Sequence, residues 1–188
     1  MLSAQLKEHT KTNHQLLEKK LVAQMKNIST KQDYTTLLAL FYSFFGGLEV
    51  AMGKHPDLSF LPDHAQRRKS VALANDLGEL GVKLPALATN QEMPQIKNNL
   101  QTIGALYVME GSTLGGKYIV KMIEKQLGTN SSLGYSFFNG YGENTEAMWQ
   151  GFKNAIDGLA LPFDEEAIVI KSANETFLQF SKWFDVHQ

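Results

Sequence analysis

Cysteine is absent from this chain of 188 residues, and arginine occurs only twice. The lack of cysteine excludes disulfides, thiolate metal ligands and cysteine nucleophiles, and it is consistent with a reducing compartment. The two arginines, Arg67 and Arg68, precede Lys69, and such a short basic cluster is typical of a solvated helix start. The formal net charge of -1 gives no support for a nucleic-acid or membrane-surface partner.

Targeting and membrane signals are also missing. Residues 1–8 lack the apolar core of a signal peptide. The longest mostly apolar, uncharged run lies between Asp33 and Glu49, which is shorter than the roughly 20 residues of a membrane span. The run predicts a buried core helix, and we expect a cytoplasmic protein that binds neither membrane nor nucleic acid.

The sequence shows no internal repeat and almost no strand pattern, whereas helical spacing of apolar residues dominates. The predicted class is therefore all-α, with one domain over residues 1–188 and a core of useful size. We expect roughly seven packed helices. The predicted ranges are 3–26 (open to a break near Lys20), 29–54, 63–80, 93–126 (interrupted at glycines), 145–158 and 165–185, with a turn at 81–85 and a loop over 128–144.

Glycines interrupt the predicted fourth helix at residues 111–116, which read Gly-Ser-Thr-Leu-Gly-Gly. A glycine inside a helix costs roughly 1 kcal/mol relative to alanine, so several in one helix need a reason. By helical spacing, Gly104, Gly111 and Gly115 share a face with Tyr107, which predicts a shallow trough with one aromatic wall. A helix kink, a closely packed helix or a flat ligand lying on bare backbone would explain these glycines.

His14 is the histidine whose position in its helix favours chemistry. Thr10, Leu17 and Leu21 fall within about 60° of it around the helix, which places His14 on an inward, aliphatic stripe. A core histidine held by a hydrogen bond and an axial ligand of an iron porphyrin both fit this position. Lys7 lies two turns earlier on the same side, where it is either an exposed lysine or a partner for a ligand carboxylate.

Other catalytic patterns are missing. The sequence contains no Glu-x-x-His pair, no His-Glu-x-x-His zinc motif and no Gly-x-Ser-x-Gly elbow. The glycine-rich stretch is not a phosphate loop, because Tyr118 stands where a magnesium-binding hydroxyl is required. Two features remain: the histidine of the first helix and the glycines of the broken helix. A flat apolar cofactor held between these two helices would use both.

Two ordered motifs resemble those of the heme oxygenases, specifically the bacterial biliverdin-producing branch. Residues 6–14 are similar to the family's Leu-x-x-x-Thr-x-x-x-His opening, with His14 in the proximal ligand position. Residues 106–116 are similar to its distal helix. Weaker similarities, which extend the resemblance over nearly the whole chain, are found at 138–142, Trp149, Phe152 and 173–177.

The resemblance implies a heme oxygenase-like all-α fold with heme between the first helix and the kinked distal helix. It implies oxidative opening of heme to biliverdin, carbon monoxide and ferrous iron, with heme as substrate and cofactor. O2 and an external electron donor, a ferredoxin or a flavin reductase, would be required, and a phytochrome is one candidate user of the biliverdin. The implied heme-binding residues are His14 (the axial iron ligand), Lys7, Tyr107, Gly116 and Lys153, and the implied catalytic residues are Gly111, Ser112 and Gly115.

One position departs from the family pattern. Many heme oxygenases have an aspartate directly after the first distal glycine, where this chain has Ser112. A hydroxyl donates and accepts hydrogen bonds but carries no charge at neutral pH, and the sequence does not identify a residue that complements it. Three alternatives stay open: a heme carrier or sensor on the same fold, a cofactor-free thiaminase-like hydrolase, which the lack of cysteine disfavours, and an interaction module.

Overall fold

Every regular element of the computed structural model is helical within the residues it describes, which are 1–55, 57–89, 91–128 and 134–187. This confirms the all-α prediction. The helices are α1 Leu2–Lys26, α2 Lys31–Met52, α3 Val71–Glu79, α4 Asn99–Gly111, α5 Gly116–Leu127, α6 Ser136–Asn139, α7 Thr145–Gly158 and α8 Phe163–His187, with short 3-10 turns at His64–Gln66 and Gly142–Asn144.

The two longest helices, α1 and α8, lie side by side and run in the same direction. Near their starts, Gln5 Nε2 donates to Glu166 at 2.7 Å. Near their ends, Lys20 Nζ donates to Asp185 at 2.6 Å. α1 is continuous through Lys20, so the break considered there does not occur.

Helix α4 packs against α8 with very little distance between the two backbones. A Cβ at Gly104 would lie 2.8 Å from the Ala173 amide nitrogen, closer than real Cβ atoms approach. Ser172 of α8 also donates its hydroxyl to the Gln101 carbonyl oxygen at 2.7 Å. Close helix packing therefore explains the glycine at position 104, and that residue lies under α8 rather than in a trough.

Helix α2 passes through the core. It is long and apolar enough to cross a membrane by composition, but 72% of its most apolar window is buried inside the protein, as predicted for a core helix. Its Phe44 ring stacks on Phe180 of α8 with ring centroids 4.5 Å apart. The surrounding aromatic cluster is completed by Phe41, Phe45 and Phe184.

A capping box fixes the start of α2. The Thr30 hydroxyl accepts from the Asp33 amide at 3.1 Å, and the Asp33 carboxylate accepts from the Thr30 amide at 2.8 Å. Thr30→Ala is expected to lower the free energy of unfolding by about 1 kcal/mol, measured by urea denaturation. The control is Thr36→Ala, an exposed threonine on the same helix; an equal loss in both variants would contradict a capping role.

The predicted helix 93–126 is two helices, α4 and α5, separated by residues 112–115. Its start is later than predicted because Asn98 caps α4, accepting from the Gln101 amide at 3.0 Å. The glycine-rich stretch therefore ends one helix and begins another.

Two further boundaries differ from the prediction. The helix expected over 63–80 is confined to α3, preceded by a 3-10 turn. In the expected loop 128–144, residues 129–133 lie outside the described residues, and 136–139 form the short helix α6. The extent of the single domain, 1–188, stays a prediction.

Candidate functional site

Four glycines of the α4–α5 region fall into two classes. A Cβ at Gly116 would overlap the main chain of Phe138, lying 2.7 Å from its carbonyl carbon. Gly116 is thus fixed by packing, as Gly104 is, and its contact with a cofactor stays a prediction. A Cβ at Gly111 would meet only the Trp149 ring, at an ordinary 3.7 Å, and one at Gly115 would meet nothing within 4 Å.

Backbone conformation does not explain why Gly111 and Gly115 are glycines either. Gly115 has φ -79°, which any L-residue adopts, and Gly111 ends α4 in a helical conformation without positive φ. Neither packing nor conformation inside the described chain therefore requires glycine at 111 or 115. These two positions present bare main chain where a side chain would fit, which is the arrangement that a flat group placed against the helix would need.

Two aromatic rings border this exposed main chain. Tyr107, one turn before Gly111, lies with its ring centroid 5.4 Å from that of Trp149 on α7. The Lys153 ammonium, one turn further on α7, is 5.8 Å from the Trp149 ring centroid. The trough therefore has a second wall, Trp149, which the sequence indicated only through a weaker similarity.

Helix α1 reaches the same region through Thr10. Burial raises the pKa of the Tyr107 phenol, and the neighbouring Thr10 side chain partly opposes that rise. The Thr10 hydroxyl itself donates to the Leu6 carbonyl oxygen at 2.7 Å. Thr10 lies one turn before His14, and Tyr107 lies one turn before Gly111. The structure thus places Thr10 of the histidine-bearing helix beside Tyr107 of α4, while the main packing partners of α1 are α8, α7 and α5.

His14 itself is exposed, so its predicted burial among aliphatic side chains is wrong. The buried stripe of α1 passes through Leu6, Thr10 and Leu17. His14 lies about 80° around the helix from Leu6, at the edge of that stripe rather than in it. Its ring is flanked on one side by Phe177 of α8, with ring centroids 5.3 Å apart. The imidazole is therefore accessible to a ligand.

The two predicted cations lie on α1 and α7, which are joined near them. Ser3 donates its hydroxyl to Asp157 at 2.6 Å. Lys7 lies one turn after Ser3 on α1 and is exposed, and Lys153 lies one turn before Asp157 on α7 and is half-buried. Both lysines therefore belong to helices anchored at a common contact, and their binding role stays a prediction.

Behind the α4–α5 break lies a buried ion pair that the sequence did not predict. Arg67 is 7% exposed, and its Nη1 donates to Glu110 at 2.8 Å. Its guanidinium also binds Asp63, and the Tyr141 hydroxyl donates to Glu110 at 3.0 Å. Burial opposes the charge of Arg67, but its hydrogen bonds to Asp63 and Glu110 raise its pKa above the ordinary value.

The prediction of a solvated basic cluster at 67–69 is therefore wrong for its first two residues. Arg68 Nη2 donates to the Ser112 hydroxyl at 2.6 Å and to the Met109 carbonyl oxygen at 2.8 Å. Arg68 is thus the residue that complements Ser112. Only the third member, Lys69, is exposed as expected.

A cavity of about 650 Å³ lies along α1 beyond His14. Its described lining residues are Gln15, Glu18, Lys19, Val22, Ala23 and Lys26. The lining is centred about 100° around the helix from His14, on a different face of α1. We take the exposed glycines and not this cavity as the candidate site, because the aromatic rings of Tyr107 and Trp149 lie beside them.

Comparison with known proteins gives consistent results. The heme oxygenase family model matches residues 1–186. The curated heme oxygenase PigA of Pseudomonas aeruginosa is 26% identical over 172 residues, covering 91% of this chain and 85% of PigA. The NO- and CO-bound heme oxygenase of Neisseria meningitidis superposes with a TM-score of 0.76 at 22% identity, covering 100% of this chain and 92% of the other. Heme oxygenase-1 of the cyanobacterium Synechocystis, in complex with heme, gives 0.73 at 19% identity, covering 98% and 91%.

Proposed function

Because this chain belongs to the heme oxygenase family, we propose that it opens heme oxidatively to biliverdin, carbon monoxide and ferrous iron. Heme is then substrate as well as cofactor, and the reaction consumes O2 and electrons from a ferredoxin or a flavin reductase. We further propose that the protein works in the cytoplasm, and that a phytochrome is one candidate user of the biliverdin.

The observation that carries the proposal is the bare main chain at Gly111 and Gly115. The chain keeps glycine at two positions where its own packing and backbone conformation allow a side chain. A planar macrocycle lying on this surface explains both, because a Cβ would hold it away from the helix. Tyr107 and Trp149 offer the apolar borders that such a ligand needs.

The donor set on α1 and α7 fits heme as well. The exposed imidazole of His14 is the kind of neutral axial ligand that heme iron accepts. The chain has no cysteine, so it cannot supply the thiolate that favours O–O cleavage. Lys7 and Lys153 are cations that would pair with the heme propionates.

Bound heme supplies the redox-active iron and the macrocycle that is oxidised. The protein's part is to hold and orient it: His14 binds the iron, the lysines fix the propionates, and the glycines allow close approach of the distal main chain. Ser112 lies at the end of α4, half-buried, where its hydroxyl can hold a water beside the glycine surface. Close walls on that side would direct the oxidation to one position of the ring.

The test is an anaerobic heme titration followed by addition of O2 and reductant. We expect saturation at one heme per chain, a strong Soret band, and conversion to a biliverdin absorbance after O2 is admitted. Chromatography of the product identifies the opened position. Catalase is included, and heme without protein serves as the control, so that ring opening by free peroxide is not counted.

Two outcomes would contradict the proposal. Heme uptake without ring opening would support a heme carrier or sensor. The absence of heme uptake would leave the hydrolase or the interaction module as the better explanation.

A further inference from the structure

Polar contacts join α1 to α8 at three levels in the part of the chain that the structure describes. At the first and third levels a long side chain of α1, Gln5 or Lys20, reaches a carboxylate of α8. At the middle level two asparagines meet, and Asn13 Nδ2 donates to Asn174 Oδ1 at 2.6 Å. This middle level lies directly before His14.

The side-chain amide of Asn174 holds one turn of α1 at both ends. Its Nδ2 donates to the His9 carbonyl oxygen at 3.2 Å, and also to the Ile170 carbonyl oxygen of its own helix at 3.2 Å. Its Oδ1 accepts from Asn13, whose main-chain amide is the helical partner of that same His9 carbonyl. The donor positions of the Asn174 amide are therefore occupied, and two of its contacts hold residues 9–13.

Short side chains make the middle level the one that fixes the register of the two helices. Lysine and glutamine side chains have many rotamers, so the contacts of Gln5 and Lys20 tolerate a small slide or rotation of α1. The asparagine pair does not, because each side chain is too short to compensate for such a movement. Polar groups between packed helices are best known for specifying register. The contacts of Asn174 therefore determine how α1 is turned relative to α8.

His14 follows Asn13 directly and depends on that register. Its ring is exposed, so its direction is set chiefly by the main chain that carries it. Its aromatic neighbour on α8 is Phe177, with ring centroids 5.3 Å apart. Phe177 comes three residues after Asn174, on the same face of α8. One face of α8 thus contacts both the turn before His14 and the side of its ring.

We infer that Asn174 is a positioning residue for the axial ligand of the heme iron. Through Asn13 and the His9 carbonyl it fixes the rotation of α1, and with it the direction in which the His14 imidazole points. The inference rests on the proposed function. Groups that do not bind the metal commonly orient a metal-binding histidine. Here the orientation is set by the helix that carries the histidine, without a hydrogen bond from Asn174 to its ring.

The experiment compares Asn174→Leu, Asn13→Ala and the double variant with the parent chain. Leucine has nearly the shape of asparagine but no hydrogen-bonding group, so it removes the contacts without opening a cavity. The readout is the iron–imidazole stretching band of the ferrous heme complex in resonance Raman spectra, which responds to the orientation of the imidazole. We expect a broader, displaced band in Asn174→Leu and a smaller change in Asn13→Ala. The double variant should match Asn174→Leu, because Asn13 acts through Asn174.

Heme retention gives a second measurement. Heme should dissociate from Asn174→Leu about threefold faster or more, since a fraction of the molecules no longer holds the imidazole in place. Transfer of heme to an excess of apomyoglobin measures this rate. The matched controls are Gln5→Ala and Lys20→Ala, which remove the polar contacts at the other two levels. The urea midpoint of the apo protein reports the loss of α1–α8 attachment in every variant, whereas the Raman band and the dissociation rate should change only at the level of His14.

A parent-like band in Asn174→Leu, or an equal change in the two controls, would overturn the inference, because the contact would then only attach α1 to α8. If Asn174→Leu does not fold, as judged by far-UV circular dichroism of the apo protein, Asn13→Ala decides, since alanine favours the helix. A parent-like band in that variant would then overturn the inference. Failure of the parent chain to bind heme would instead refute the proposed function, and the inference with it.

Discussion

Replacing His14 by alanine is expected to abolish the strong Soret shift of the ferric heme complex. Heme affinity should fall at least about tenfold, or 1.4 kcal/mol, because the iron loses its protein ligand while the rest of the site remains. The apo protein should keep its stability, since His14 is exposed and its removal opens no core cavity. Heme titration by absorbance and urea denaturation of the apo protein measure the two effects.

The matched control is His9→Ala. His9 is also exposed on α1 but lies about 140° around the helix from His14. Its spectrum should equal that of the parent chain. Added imidazole should restore the Soret band of His14→Ala, because it can enter the space left by the side chain. An unaltered spectrum in His14→Ala would remove His14 as the ligand.

The error about the burial of His14 shows how far helical periodicity reaches. Periodicity correctly placed Thr10 and Leu17 on the inward side of α1. It could not show which residues on that side are buried by a neighbouring helix. The neighbour beside His14 is α8, whose Phe177 is more than a hundred residues later in the chain. A residue about 60° from the stripe's centre is buried or exposed according to the neighbouring helix, not its own.

The same limit applies to the basic cluster. Arg67 and Arg68 have the sequence context of a solvated helix start. They have protein partners instead because the fold brings distant segments next to them. Their partners Glu110 and Ser112 are 43 and 44 residues away. Glu110 stands inside an apolar helix, so a buried acid there could have suggested a cation partner, but nothing in the sequence specified which one.

The glycines are a third case. The sequence showed that they needed an explanation, but it did not show which explanation applied to each glycine. The sequence offered three explanations for the glycines: a helix kink, close packing or a flat ligand. The structure assigns packing to Gly104 and Gly116, whose neighbours are the backbones of α8 and Phe138. Gly111 and Gly115 have no such neighbour. Only the position of a distant backbone could separate the two classes.

The adjacent pair Gly115 and Gly116 turns this distinction into an experiment. Gly116→Ala is expected to lower the free energy of unfolding by about 3 kcal/mol, because the added Cβ would overlap the Phe138 carbonyl, which is backbone and cannot rotate away. Gly115→Ala should change it by less than about 0.5 kcal/mol, since nothing lies within 4 Å and the backbone is helical. Urea denaturation of the two apo variants gives the comparison.

A larger side chain at the open positions should separate stability from function. Gly115→Leu and Gly111→Leu project bulk into the surface proposed for the ring, so heme uptake or ring opening should fall in both. The unfolding free energy of apo Gly115→Leu should stay near that of the parent, because a Cβ at Gly115 meets nothing within 4 Å. A stability loss in Gly115→Leu as large as that in Gly116→Ala would mean that packing, not a ligand, determines residue 115. Normal heme binding and turnover in both leucine variants would refute the trough as the heme surface, because a planar ring cannot share that space with a leucine at either position.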